Sequence, residues 1–443
     1  MAIGGTVRRR RWTQLDQGRV LAAAKTWVAE RPAPIVATIA MFIPVMGYSL
    51  LGHGVPGGGH FRLITPGDLW GMSASSWFLA HGQFGHIYAT PGALTSPPAL
   101  EFVLAPILLF AQIVGLTAHF PGSSPLGLWM LLGPAALLIA SPALFAIDAV
   151  ARSWSLTDRT RLALALASAC GVANVAGVWG HPEDCVAVAM VLWAALAIER
   201  RPDTGAGRAA WLLGIGIAFQ PLAILGVAPV LARLGWRSFA KVSWRLVLPS
   251  LLVLVPPLIG QPGLTRFVLV NQPFLPKAVS FTPLTHLAPV IGPGTDGGGP
   301  TRLLALLLSA GLAIAVCRRR HDLPTVLTIT AIAFFLRVLF ETELIWYYMW
   351  PVAALCLVLS ARRGGLNLGV CSAALVATIV VGNHNAVHNI ALWWPALMAS
   401  LAVMLGSTAG WVGHHQTSRM SGLEHRARGM GLRQMWPAGS PDV

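Results

Sequence analysis

The chain holds only 16 acidic residues in 443, so each can be weighed for chemistry in turn. Asp16, Glu30, Asp322, Glu424 and Asp442 sit in or beside basic segments. Asp148, Asp158, Glu199 and Asp203 neighbour arginines in short connectors, where solvated pairing is expected. That leaves Asp68, Glu101, Glu183, Asp184, Asp296, Glu341 and Glu343. An ionisable group kept near membrane depth is costly enough to be a functional candidate by default. Asp68 leads this set. It stands in Thr65-Pro66-Gly67-Asp68-Leu69-Trp70, at the head of an expected short helix that runs through Ser73 and Trp77 and stops at Gly82. Trp70, Ala74, Trp77 and Phe78 give that helix one apolar face, suited to lying along a membrane surface. Thr65-x-x-Asp68 with Pro66 matches a capping box, so the carboxylate can tie down helix amides. It can equally serve as a general base, because a helix N-terminus holds a carboxylate ionised, as proton abstraction requires.

The other candidates are weaker and each has a plain alternative. His181, Glu183 and Asp184 cluster between two apolar runs. They suit a divalent cation, or simply the first turn of the next helix, where acidic residues are favoured. Arg337, Glu341 and Glu343 precede Trp346-Tyr347-Tyr348. This reads as an interfacial aromatic belt with a structural ion pair, or as an arginine- and aromatic-lined wall for a sugar or lipid phosphate. Lys277 and His286 lie in a long polar stretch and could meet a phosphate; each alone also reads as an ordinary loop residue. His384 and His388 lie among asparagines with no carboxylate nearby. The chain carries no Walker motif, no G-x-G-x-x-G and no G-x-S-x-G.

The elements that must position these groups follow from composition. Residues are 55% hydrophobic and only 11% charged, against roughly 25% charged in a soluble domain. Long apolar runs without alternation point to an all-α, polytopic membrane bundle, since the backbone must satisfy itself in hydrocarbon. Hydropathy gives about twelve apolar segments. The first covers Pro34 to Leu51 and the second Pro97 to Thr117; others start near Leu126, Arg161, Glu183, Arg208, Val242, Arg302, Pro324, Leu344, Leu366 and Ile390. The chain divides into a basic tail (1–33), a membrane domain (34–411) with long outer loops at 52–98 and 261–300, and a second basic tail (412–443). The first span reads as a retained signal anchor.

The formal charge of +15 is concentrated near the ends, which places both tails in the cytoplasm and leaves no need for a nucleic-acid partner. The five cysteines form no C-x-x-C pair and read as small core residues. One ambiguity concerns Arg208 to Leu234, which either crosses once or turns back at Gln220-Pro221. Only the second option puts His181 and Asp184 on the same side as Asp68.

One cytoplasmic tail, one span and then a large outer loop with Gly67-Asp68 opening a short helix resembles the GT-C superfamily of membrane glycosyltransferases. The run Gly67-Asp68, Ala80-His81-Gly82, Ile87-Tyr88, Pro97-Pro98 and Pro106 follows that superfamily's first-loop pattern. Gly180-His181-Pro182-Glu183-Asp184, Phe219-Gln220-Pro221 and Trp346-Tyr347-Tyr348 with Pro351 are similar to later segments of its actinobacterial polyprenol-phosphate-mannose-dependent mannosyltransferases. The chain departs where members often have Lys-Pro, here Gln220-Pro221, and Gly-Gln-x-Asn, here Gly180-His181-Pro182-Glu183. The resemblance implies an inverting transfer on the outer membrane face. A sugar, mannose in that branch, would pass from a polyprenyl-phosphate donor to a lipid or cell-envelope glycan acceptor, with Asp68 as base. Arg62, Lys277, His286 and Arg337 would be the cations for the leaving phosphate, and His86, Tyr88, Glu341 and Tyr347 further substrate contacts. No nucleotide fold is then needed, and no cofactor beyond a possible divalent cation. A transporter, a lipid flippase and a non-catalytic relative are the alternative readings.

Overall fold

The computed structural model describes residues 22, 25–51, 67–89, 97–116, 126–201, 204–275, 282–383 and 390–409. Both basic tails lie largely outside these residues, as do Arg62, Thr65, Lys277, His384, His388 and the stretch 117–125. Among the described residues the architecture is a helical bundle. The helices are α1 (Pro32–Leu51), α2 (Gly67–Ala80), α3 (Ala99–Ile113), α4 (Leu126–Ala140), α5 (Pro142–Ser153), α6 (Asp158–Val172), α7 (Pro182–Arg200) and α8 (Gly205–Phe219). They continue with α9 (Val227–Leu231), α10 (Trp236–Gly260), α11 (Pro262–Asn271), α12 (Thr301–Cys317), α13 (Leu323–Leu339), α14 (Trp350–Arg363), α15 (Gly365–Asn383) and α16 (Ile390–Ala409).

Five stretches are long and apolar enough to cross a membrane: Met130–Ser153, Asp158–Trp179, Trp236–Gly260, Gly365–Gly382 and Leu392–Ala409. Shorter apolar helices of 10–17 residues include Ala99–Ile113, Gly205–Phe219, Thr301–Cys317 and Leu323–Leu339. α7 is long, yet it carries Glu183, Asp184, Glu199 and Arg200 at its two ends. α10 starts at Trp236, well before the expected Val242. The helix extends through the basic stretch Arg237–Arg245, because a helical backbone needs no apolar side chains outside hydrocarbon.

The path around α8 decides the sidedness of the site. Gly205 packs on the backbone of Ala197 and Ile198 near the end of α7. α8 then runs back along α7 to Phe219, where Gln220 is extended (φ −149°, ψ 114°) and Pro221 opens a 3-10 turn, Pro221–Gly226. Gly226 already lies against Val191 of α7 and Leu213 of α8. By Val230 the carbonyl meets Nε2 of His321 at 3.1 Å, between α12 and α13. The chain has therefore turned back at Gln220-Pro221. α10 climbs again, passing Gly214 at Arg245 and Leu246 and ending with Gly260 against Phe84 and Gly85, just past α2. His181, Gln220 and Asp68 thus share one end of the bundle.

Two expectations need correction. α2 is not a helix lying open along a surface: Ser73, Ser75 and Ser76 are buried, and Trp70 and Trp77 are half-buried. The reason is α3, whose Leu100, Leu104 and Leu108 pack with Leu69 and Met72. The serine hydroxyls are tolerated there because they donate back to the carbonyls of Leu69, Gly71 and Met72. The stretch 261–300 is also not a plain loop. It contains α11 and a hairpin of β1 (Val290–Gly292) with antiparallel β2 (Thr295–Asp296), to which Phe274 adds a bridge at Asp296.

The main core surrounds α7 and α14, both of which are buried along most of their length. Trp346 and Trp350 are its largest members. α6 meets Trp350 at Gly171, where an added Cβ would come within 2.3 Å of the indole, so a close helix crossing depends on that glycine.

Candidate active site

The site is built where α6 ends. Residues Ala173–Trp179 widen into a π-helical turn, a feature that often marks functional positions. Gly180 follows with φ +81°, a left-handed conformation glycine adopts without strain. The turn throws His181 out of the helix, and Pro182 starts α7 with Glu183 and Asp184 in its first turn. The imidazole is consequently held between two carboxylates. Its Nε2 lies 2.9 Å from Oδ2 of Asp68, and its Nδ1 lies 2.6 Å from Oε1 of Glu183. The Tyr347 ring stacks on it at 4.0 Å with 23° between planes, and Trp179 packs on Tyr347 at 5.7 Å.

Charge follows geometry. Burial by itself would lower the His181 pKa. The Glu183 charge and the hydrogen bonds to Asp68 and Glu183 overcome it and raise the pKa to about 10. His181 is therefore an imidazolium at neutral pH, donating from both nitrogens. Glu183 has no exposed side-chain surface, whereas Asp68 retains 42% of its own. Asp68 is thus the more exposed end of the string Glu183–His181–Asp68.

A second ionic cluster lies nearby. Glu341 is fully buried and paired with Arg337 and with Arg302, whose Nε donates to Oε1 at 2.8 Å. Arg302 also donates to the side-chain amide oxygen Oε1 of Gln272. Arg337 lies over the Tyr348 ring, 5.9 Å from its centroid. Thr282 and Thr285 bond the carbonyls of Glu341 and Thr342, tying the 261–300 segment to the end of α13.

A cavity of about 420 Å³ joins the clusters. His181, Asp184 and Tyr347 line it together with Arg302, Arg337 and Gln272. Gln220 also lines it, donating to Oδ1 of Asp184 at 2.8 Å. The second carboxylate oxygens of Glu183 and Asp184 are buried and have no hydrogen-bond partner among the described residues.

Of the residues singled out from sequence, His181, Asp184, Arg337 and Tyr347 meet at this cavity, with Asp68 bonded to its wall. Glu183 and Glu341 lie behind the lining as partners of His181 and of the arginines. The other candidates lie elsewhere. His86 stacks on Phe78 at 5.1 Å. Tyr88 is buried in a small apolar cluster with Leu79, Ile87, Ala105 and Val268. His286 is exposed on a 3-10 turn, Thr285–Leu287, outside the cavity lining. Arg62 and Lys277 lie outside the described residues. The sequence reading missed Arg302 and Gln272, whose acidic and cationic partners come from distant elements. Both ring nitrogens of His181 are engaged by carboxylates. No group of three or more histidine, cysteine or acidic side chains among the described residues is arranged to hold a metal. No family model matches the chain, and neither a curated protein nor a solved structure matches it.

Proposed function

We propose that the chain is an inverting, GT-C-type membrane glycosyltransferase that uses a polyprenyl-phosphate sugar as donor and a lipid or envelope glycan as acceptor. The observation that carries this reading is one cavity lined by the guanidinium groups of Arg302 and Arg337 and by His181, whose imidazole is bonded to Asp68 and Glu183. Its volume falls in the range of small-molecule sites, about 300–1,000 Å³. Asp68 takes the proton of the acceptor hydroxyl, and that oxygen attacks the anomeric carbon. The bond from that carbon to the phosphate oxygen breaks, and the electron pair leaves with the polyprenyl phosphate. Arg302 and Arg337 meet the charge that develops on the phosphate, a role for which guanidinium forks are well suited. The sugar in this reading is mannose.

The arginines support an orientation. Arg152, Arg161, Arg200, Arg201, Arg318, Arg319, Arg320, Arg362 and Arg363 gather at the end away from Asp68. By the positive-inside rule that end faces the cytoplasm, so the site faces outward and about twelve apolar segments leave both tails inside. The test is transfer from labelled polyprenyl-phosphate mannose in membranes containing the full chain. Label moving to an acceptor with inverted anomeric configuration is expected; donor left intact under all acceptors would overturn the proposal.

A second reading rests on the helix break at Gln220-Pro221 beside buried Asp184, a feature shared with transporters. It predicts substrate counterflow in sealed proteoliposomes that Asp184→Asn abolishes. The enzyme reading predicts no counterflow.

A further inference from the structure

A second cavity lies at the opposite end of α7 from the site. It has a volume of about 960 Å³ and is ringed by Arg31, Arg152, Arg200, Arg201 and Arg208. α7 spans 19 residues, which at 1.5 Å each separates this cavity from His181 by about 28 Å. The described lining contains five arginines and no acidic residue.

Local pairing neutralises only part of this charge. Glu30 is shared by Arg31 at 3.4 Å and Arg152 at 3.9 Å. Asp148 lies 3.4 Å from Arg152 but accepts two bonds from Arg161, from Nε at 2.8 Å and from the terminal nitrogen at 3.1 Å. Among the described residues no carboxylate pairs with Arg200, Arg201 or Arg208; Asp203 lies outside them. The floor is apolar, made by Phe145, Trp193, Leu196 and Leu212. Trp27 stacks on Phe145 at 5.4 Å and carries the Arg31 guanidinium over its other side at 4.6 Å.

Positive charge alone would satisfy membrane topology without a cavity. A concave space lined by five arginines together with Trp27, Phe145 and Trp193 asks for more. We propose that this cavity binds a phosphate-bearing anion, with the apolar floor favouring a lipid whose headgroup carries the phosphate. Arginine forks match phosphate oxygens in pairs, and basic pockets between helices on the cytoplasmic side are suited to anionic headgroups. The site is independent of the transfer chemistry, since none of its residues lines the cavity at His181.

The experiment is titration of the detergent-solubilised full chain with dioleoyl phosphatidylglycerol, read by native mass spectrometry, with dioleoyl phosphatidylcholine and inorganic phosphate in parallel. Two variants accompany it. Arg200→Gln/Arg208→Gln removes charge at exposed positions, and Thr204→Trp fills the cavity without changing charge. Phosphatidylglycerol should bind the wild type, and each variant should weaken it about tenfold or more, with thermal unfolding in the absence of lipid unchanged. Competition by inorganic phosphate would mean the anion suffices; its absence would assign the binding to the whole lipid. Equal affinity of wild type and variants, equal binding of phosphatidylcholine, or no binding of either phosphate species would overturn the proposal.

Discussion

Asp68 and His181 are 113 positions apart and within hydrogen-bond reach. The sequence showed that Asp68 heads a helix and that His181 sits among carboxylates. It could not show that they touch, because the contact depends on the π turn and on the chain reversing at Gln220. The same holds for Arg302 and Glu341, 39 positions apart. His181 carries a testable charge. Its pKa is raised from 6.5 to about 10. The imidazolium therefore stabilises the fold fully below about pH 6.5, and this contribution fades as pH rises through about 10. Thermal unfolding of the wild type should lose stability across that window. His181→Gln should be less stable at pH 6 and show a flatter profile. Its transfer rate should also fall, since Asp68 loses the partner that orients it. In the second cluster, Arg337→Gln leaves buried Glu341 with Arg302 alone. Breaking a buried pair in this way costs about 3–5 kcal/mol. Arg337→Lys should restore stability better than it restores donor binding, because an ammonium does not reproduce the guanidinium fork. Unfolding and donor KM, measured side by side, would separate the two effects.

Most helix starts were legible to within a few residues, because continuous apolar runs bounded by Pro, Gly or charge leave few alternatives. α7, α8, α13, α15 and α16 begin at or near the expected positions. What was not legible was irregularity. The π turn at Ala173–Trp179 has no side-chain signature, and the hairpin within 261–300 is held by backbone bonds to Phe274. Gly180 is the hinge of the site element. Gly180→Ala places a Cβ at φ +81°, a conformation costing an L residue about 1–2 kcal/mol. The variant should unfold at lower temperature and lose transfer activity out of proportion to that loss, because His181 is the next residue. Gln220→Leu removes the donor to Asp184, whose other oxygen already lacks a partner. Leaving the carboxylate wholly unsatisfied should cost about 1–3 kcal/mol by thermal unfolding.

For the molecule as a whole, composition pointed to a membrane protein, and five helices long and apolar enough to span one bear that out. Charge at the two ends was legible only as a sum over loops. The fold turns it into a polarity: Asp68, Gln220, Gln272 and Arg302 at one end, and the arginines of the α5–α6 and α7–α8 connectors at the other. The proposed orientation predicts that a cysteine at Gly294, in the hairpin turn, reacts with a membrane-impermeant maleimide in intact cells. One at Thr157, in the α5–α6 connector, should react only after lysis. The reverse pattern would put the cavity on the cytoplasmic side and remove the case for a lipid-linked donor.

The most direct measurement compares the turnover of purified wild type and Asp68→Asn with a polyprenyl-phosphate sugar, alongside the donor affinity of each. An amide keeps the shape and can still meet His181, but it cannot take a proton. The account predicts a fall in turnover of about a hundred- to ten-thousand-fold with donor affinity nearly unchanged. Turnover by Asp68→Asn equal to that of the wild type would show that this carboxylate is a structural partner of His181 and no base.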